Sequence, residues 1–185
     1  MINADGVLYG NYRTNLAGTD LNRMWRNPRK DLQPEVYYIK KYLQLINKTA
    51  PISMIIDLHG HSKSLNSFFY GNPCRKENTL HQAEDPRLFP YICSKKIKQI
   101  SFNQSTFCVS EDKKNSARVV LSELFPKALV YTLENSFHGW KKDRNTIYEY
   151  TPEVLKRIGR ELTITYLEFE RIIEKNPQIK EKWAK

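Results

Sequence analysis

The sequence predicts an α/β fold, a mixed β-sheet flanked by helices, and three features carry that expectation. A stretch with helical period runs from Pro34 to Asn47, a short apolar run from Ile52 to Gly60 follows it directly, and a second long helical stretch opens at Thr151. In the first, Val36, Ile39, Leu43 and Ile46 share one face, with Pro34 in an allowed first-turn position and charges opposite. The run ISMIIDLHG is too short for a helix and is stopped by Gly60, which predicts a strand buried on both faces. SFFYG (67–71) and ALVYTLE (128–134) repeat that pattern.

A third helix is predicted between Asp85 and Ile100. Residues 1–30, rich in Gly, Asn, Asp and Arg, read as loop and turn, and the polar stretch 101–118 reads as a long loop. Thr151 as N-cap, Pro152 at the first helical position and Glu153 in the first turn open the last helix. Leu155, Ile158, Leu162, Leu167 and Ile172 are expected inward, with Asn176-Pro177 as the stop and 177–185 as a charged tail.

With 185 residues and 40% hydrophobic side chains, the chain has the size and composition of one globular domain or most of one. A formal charge of +10 favours acidic partners. Charge alone supports a nucleic-acid binder, and no RNP-like, zinc-finger or helix-turn-helix pattern accompanies it, so nucleic acid is not the expected partner. Three widely spaced cysteines, Cys74, Cys93 and Cys108, suggest neither a disulfide framework nor a thiolate zinc site. They fit a reducing compartment. No run approaches bilayer length and no basic-then-apolar leader opens the chain, so the expectation is a cytoplasmic protein without a membrane partner.

Three groups carry candidate chemistry. His59 and His61 stand at the C-terminal end of an apolar strand, where open α/β sheets hold their ligands; they are metal or acid–base groups, or polar strand-end residues with backbone partners. Glu134 ends another apolar strand, where its charge needs a polar cleft or a cation; it is a general base or a salt-bridged carboxylate. Arg13, Asn22 and Arg23 share one loop region with Asp20, and a guanidinium fork grips a carboxylate; the alternative is a set of solvated loop arginines.

Five blocks, GNYRTNLAGTDLNRMW (10–25), DLHGHSKSLNSFFYG (57–71), RLFPYICSK (87–95), SARVV (116–120) and YTLENSFHG (131–139), stand in the order found in cytosolic carboxypeptidases, the family this chain resembles. The resemblance implies the zinc carboxypeptidase fold, with residues 1–176 forming the later part of its catalytic domain. It further implies Zn2+ as cofactor, acidic protein C-terminal tails such as those of tubulin as partners, and removal of glutamate as the reaction. In its terms His59 is a zinc ligand, Glu134 the general base, Asn22 and Arg23 the grip on the terminal carboxylate, and Arg13 the arginine that polarises the scissile carbonyl. Arg118, read as part of the irregular stretch before the Glu134 strand, corresponds to the segment lining the pocket for the terminal side chain.

Asp20 matches the residue that orients the family's first zinc histidine. That histidine belongs to a His-x-x-Glu pair upstream of the Asn-Arg motif, and residues 1–21 contain no His. The pair His81-Gln82-Ala83-Glu84 has the right spelling but follows His59 in a polar stretch, and is expected to be surface loop. Phe102 and Phe107 occur where the family's substrate-capping tyrosine is sought, so that role falls to no residue. The alternative reading is a truncated or inactive relative that binds acidic tails without hydrolysing them.

Overall fold

The computed structural model describes residues 1–73, 85–141 and 146–175. The His81–Glu84 motif, Cys74, the predicted stop at Asn176-Pro177 and the 177–185 tail lie outside the described residues. The chain divides into two compact units, each discontinuous in sequence: Met1–Ile55 with Val109–Ala128, and Ile56–Cys108 with Leu129–Lys185.

The first unit holds helices α1 (Ala4–Leu8), α2 (Pro34–Thr49) and α4 (Ala117–Leu124), with a 3-10 turn at Leu21–Arg23. The predicted helix from Pro34 forms with its proline in the first turn, and Val36 is wholly buried. Ile39, Leu43 and Ile46 are half-buried on the same side. Residues 1–30 depart from the loop expectation: Asn3 accepts the Gly6 N–H and caps α1, a single short helix without apolar period and so invisible to a pattern search.

The 101–118 loop is also shorter than expected. It contains two 3-10 turns, Phe102–Gln104 and Glu111–Lys113, and its last residues begin α4. Residues Ala117 to Leu121 are all buried, and α4 spans only eight residues directly after a polar stretch, too short a run for its period to stand out in the sequence.

The second unit is built on a three-stranded sheet of order β1-β3-β2, from β1 (Met54–His61), β2 (Ser67–Tyr70) and β3 (Leu129–Ser136). β2 runs antiparallel to β3, pairing Phe68 with Glu134 and Phe69 with Leu133, while Ile100 and Thr106 bridge β2 in parallel sense and make the sheet mixed. β3 is central and buried along its first five residues, as its apolar run predicts. β1 is not buried on both faces. It occupies the sheet's edge, its residues are half-buried, and Leu58 is 66% exposed.

Helices α3 (Leu88–Lys96) and α5 (Pro152–Lys175) pack together, with an ion pair between Lys96 and Glu168. The helix predicted from Asp85 to Ile100 is therefore confined to its middle nine residues. Asp85 is spent on Arg87, and Ile97 turns extended at the C-cap. Phe89 centres an aromatic cluster with Tyr131 at 5.9 Å and Phe169 at 5.4 Å between ring centroids, all three inaccessible to solvent. Burying each such ring stabilises the unit by about 1.5–3 kcal/mol.

Thr151 caps α5 as expected, its Oγ1 accepting the Val154 N–H at 3.3 Å. The buried face is rotated from the expected one: Ile158, Leu162, Thr165, Phe169 and Ile173 point inward, while Leu155, Leu167 and Ile172 are exposed. The observed spacing of 4, 3, 4 and 4 follows the helical period more closely than the expected set, and the packing position at its centre is a threonine. A short hairpin of β4 (Trp140–Lys141) and β5 (Ile147–Tyr148) completes this unit, with Trp140 stacked on Tyr148 at 5.0 Å.

Candidate active site

Alternation along β1 puts Asp57, His59 and His61 on one face. The neighbouring β3 contributes Glu134, whose side chain is 12% exposed. His59 Nε2 lies 2.7 Å from Asp57 Oδ2 and its Nδ1 lies 3.9 Å from Glu134 Oε1. An ionised carboxylate only accepts, so Asp57 holds the proton on Nε2 and makes Nδ1 the lone-pair atom of the ring. A carboxylate behind an imidazole that presents its other nitrogen is the arrangement that orients a metal-binding histidine and raises its basicity.

His59 thus fits one ligand of a zinc site. Among the described residues no group of three or more His, Cys, Asp and Glu gathers to hold a metal.

The rest of the strand ends supports this face. Phe137 N–H donates to the His61 carbonyl at 2.8 Å, and a Cβ on Gly60 would stand 2.3 Å from the Phe137 ring. Glycine at 60 is what permits that ring to cross β1. His61 packs edge-on against Phe68 at 4.9 Å, and its Nε2 is buried without a hydrogen-bond partner among the described residues. Burial, then the charges of Lys63 and His138, hold its pKa below the ordinary histidine value. His138 Nε2 donates to the Ser62 carbonyl at 2.7 Å.

The first unit organises the arginine loop through Asp20. Its Oδ1 accepts the Asn22 N–H at 3.0 Å and caps the 3-10 turn, and its Oδ2 takes Arg13 Nε at 2.7 Å. Arg23 Nη1 stands 3.9 Å from the same carboxylate and donates to the Asn22 carbonyl at 3.0 Å. Asn22 Oδ1 accepts the Ala117 N–H at 2.8 Å, an orphan donor of the first turn of α4. That bond fixes the amide: its oxygen faces the helix, and its NH2 is left as the donor side. Arg118 is in the first turn of α4, not in irregular chain, and is 5% exposed.

Asn22, Arg23, Arg13 and Asp20 are therefore brought together within one unit, and His59, Glu134 and Asp57 within the other. Asp57 was absent from the sequence-derived set, and the i, i+2 alternation on a predicted strand is the signal that points to it. The link between Asn22 and Ala117 spans 95 residues and has no local signature.

Comparison with known proteins identifies the fold first. It is that of metallocarboxypeptidases: the chain superposes on the metallo-carboxypeptidase of Burkholderia cenocepacia with a TM-score of 0.77 at 23% identity, over 93% of this chain and 43% of that one. The sequence matches the zinc carboxypeptidase family over residues 1–183, and the chain belongs to that family. It is 34% identical over 172 residues to cytosolic carboxypeptidase 2 of Mus musculus, covering 91% of this chain and 19% of that protein. Against cytosolic carboxypeptidase 1 of Gallus gallus it is 31% identical over 185 residues, covering 93% and 15%. The chain spans about a fifth or less of the length of these relatives and corresponds to part of their catalytic domain.

Proposed function

We propose that this chain is the part of a zinc metallocarboxypeptidase catalytic domain that carries the third metal ligand, the general base and the substrate grip, and that its substrates are acidic protein tails such as those of tubulin, from which it removes C-terminal glutamate in the cytoplasm. The arrangement of Asp57, His59 and Glu134 across β1 and β3 is the observation that carries the reading. Bound zinc supplies Lewis-acid polarisation of the scissile carbonyl and a lowered pKa for water.

The residues of this chain do the rest. His59 would hold the metal through Nδ1, with Asp57 fixing its tautomer. Glu134 takes the proton of the attacking water at its carboxylate and passes it to the leaving amine. The Asn22 NH2 and the Arg23 guanidinium hold the substrate's terminal carboxylate, and Arg13 stabilises the negative charge that develops on the carbonyl oxygen. Asp20 holds Arg13 and the Asn22 backbone, and through its family position orients a zinc histidine.

Arg118 is assigned to the terminal side-chain pocket. A buried cation there selects glutamate, because a partly desolvated carboxylate gains a charge-assisted bond that leucine cannot make. The test compares a full-length protein containing this chain with its Arg118→Ala variant on peptides ending in Glu and in Leu. The variant is expected to lose more than about tenfold of its preference for Glu, roughly 1.4 kcal/mol. An unchanged preference removes Arg118 from the pocket.

A further inference from the structure

The first unit contains a second concentration of positive charge that the carboxypeptidase reading does not use. A cavity of about 490 Å³ is lined by Arg26, Arg29, Tyr37, Lys40, Lys41 and Gln44. The last four lie at i, i+3, i+4 and i+7 on one face of α2, and the two arginines come from the loop after the 3-10 turn.

Two of the four cations are already matched. Arg26 donates to both oxygens of Glu123 at 2.9 and 3.0 Å, and Arg29 donates to both of Asp31 at 3.2 and 2.6 Å. Lys40 and Lys41 are not matched in this way. Lys40 Nζ donates to the carbonyls of Trp25 at 2.8 Å and Arg26 at 2.9 Å, which are neutral, and an ammonium has a third N–H to give. Lys41 Nζ lies 5.8 Å from the centre of the Tyr37 ring, a weak contact, and no carboxylate pairs with it among the described residues. Burial, and secondarily the charge of Arg26, hold the pKa of Lys40 below its ordinary value, so an anion beside it relieves a cost already present in the fold.

From this geometry we infer that the cavity is a subsite for glutamate side chains of an acidic peptide segment, away from that peptide's terminal carboxylate. The choice of occupant rests on the reading of the chain as a carboxypeptidase of acidic tails. The chemistry of the walls agrees with a glutamate side chain: the two lysine ammonium groups meet its carboxylate, Gln44 offers an amide donor, and the Tyr37 ring with the lysine stems supplies apolar surface for its methylenes.

The probe is a fluorescent pentaglutamate peptide with an amidated C-terminus, which offers the terminal-carboxylate grip nothing, followed by anisotropy on a full-length protein containing this chain. Pentaglutamine amide and inorganic tripolyphosphate serve as comparisons. The glutamate peptide is expected to bind with an affinity that falls as salt rises, pentaglutamine is expected not to bind, and Lys41→Glu is expected to weaken binding by more than about tenfold while leaving circular dichroism unchanged. Lys40→Met, which keeps the stem, is expected to weaken it as well. Equal binding of pentaglutamine, or an unaffected Lys41→Glu variant, overturns the proposal. So does tripolyphosphate binding more tightly than the peptide through the same lysines, which makes the cavity a phosphate site. A full-length protein that still cleaves acidic tails after such a failure leaves the carboxypeptidase reading intact, and a bound amide peptide with no cleavage of free tails does the reverse.

Discussion

Asn22 makes two roles separable at one side chain. Its Oδ1 accepts the Ala117 N–H at 2.8 Å, and Ser116, the residue before that turn, gives no side-chain cap of its own. Asn22→Ala removes the cap and leaves an orphan N–H at the start of a buried helix, a loss of about 1 kcal/mol within a usual range of roughly 0.5–2. For a chain of this size that lowers Tm by about 2–4 °C. Asn22→Asp keeps an acceptor in the same place and sets negative charge at a helix N-terminus, so its stability should stay within about 0.5 kcal/mol of the parent. It also replaces the NH2 donor with a second carboxylate, which repels a peptide's terminal carboxylate. Denaturation of both variants, alongside binding of a peptide with a free C-terminal glutamate to the full-length protein, reads the two effects apart. Asn22→Asp is expected to be as stable as the parent and at least about tenfold weaker in binding. Equal destabilisation of both variants refutes the cap, and unchanged binding by Asn22→Asp refutes the grip.

Two further outcomes are expected. The 185-residue chain should retain zinc only sub-stoichiometrically through dialysis, because a catalytic site uses three protein ligands and His59 supplies one; metal analysis showing one zinc per chain, lost in His59→Ala, contradicts this. Burial, opposed by the hydrogen bond between Tyr150 and Ser67, pushes the Tyr150 phenol up to about 12. An unfolded tyrosine ionises near 10, so between about 10 and 12 the unfolded chain binds fewer protons and stability falls as pH rises. Tyrosinate absorbance should show a late-titrating group that Tyr150→Phe removes, and a titration unchanged by that substitution contradicts the assignment.

The parts of this molecule that were legible in the sequence are those governed by short-range rules. Pro34 and Thr151 start helices because proline at the first turn and a threonine cap act within one turn, and the apolar run before Glu134 became the central strand. The inward face of α5 was misjudged because the helix carries apolar residues on more than one side, and only packing selects Thr165 and Phe169 over Leu155 and Leu167. β1 was expected to be buried on both faces because an apolar run does not reveal whether a strand has one neighbour or two. In the candidate site, His59 and Glu134 announced themselves as polar groups at the ends of apolar strands. The tether from Asn22 to α4 and the pairing of Arg26 with Glu123 did not, since they join residues 95 and 97 positions apart.

The central claim is that Glu134 is the base of a peptide hydrolysis for which this chain holds both the metal ligand and the substrate grip. Glu134→Gln in a full-length protein tests it most directly, because the amide preserves shape but accepts no proton from water. With a peptide ending in glutamate, the substitution is expected to abolish turnover while leaving the dissociation constant of the peptide near that of the parent. A variant that turns over at the parental rate, or that changes only the Michaelis constant, would make Glu134 a substrate contact and contradict the assignment.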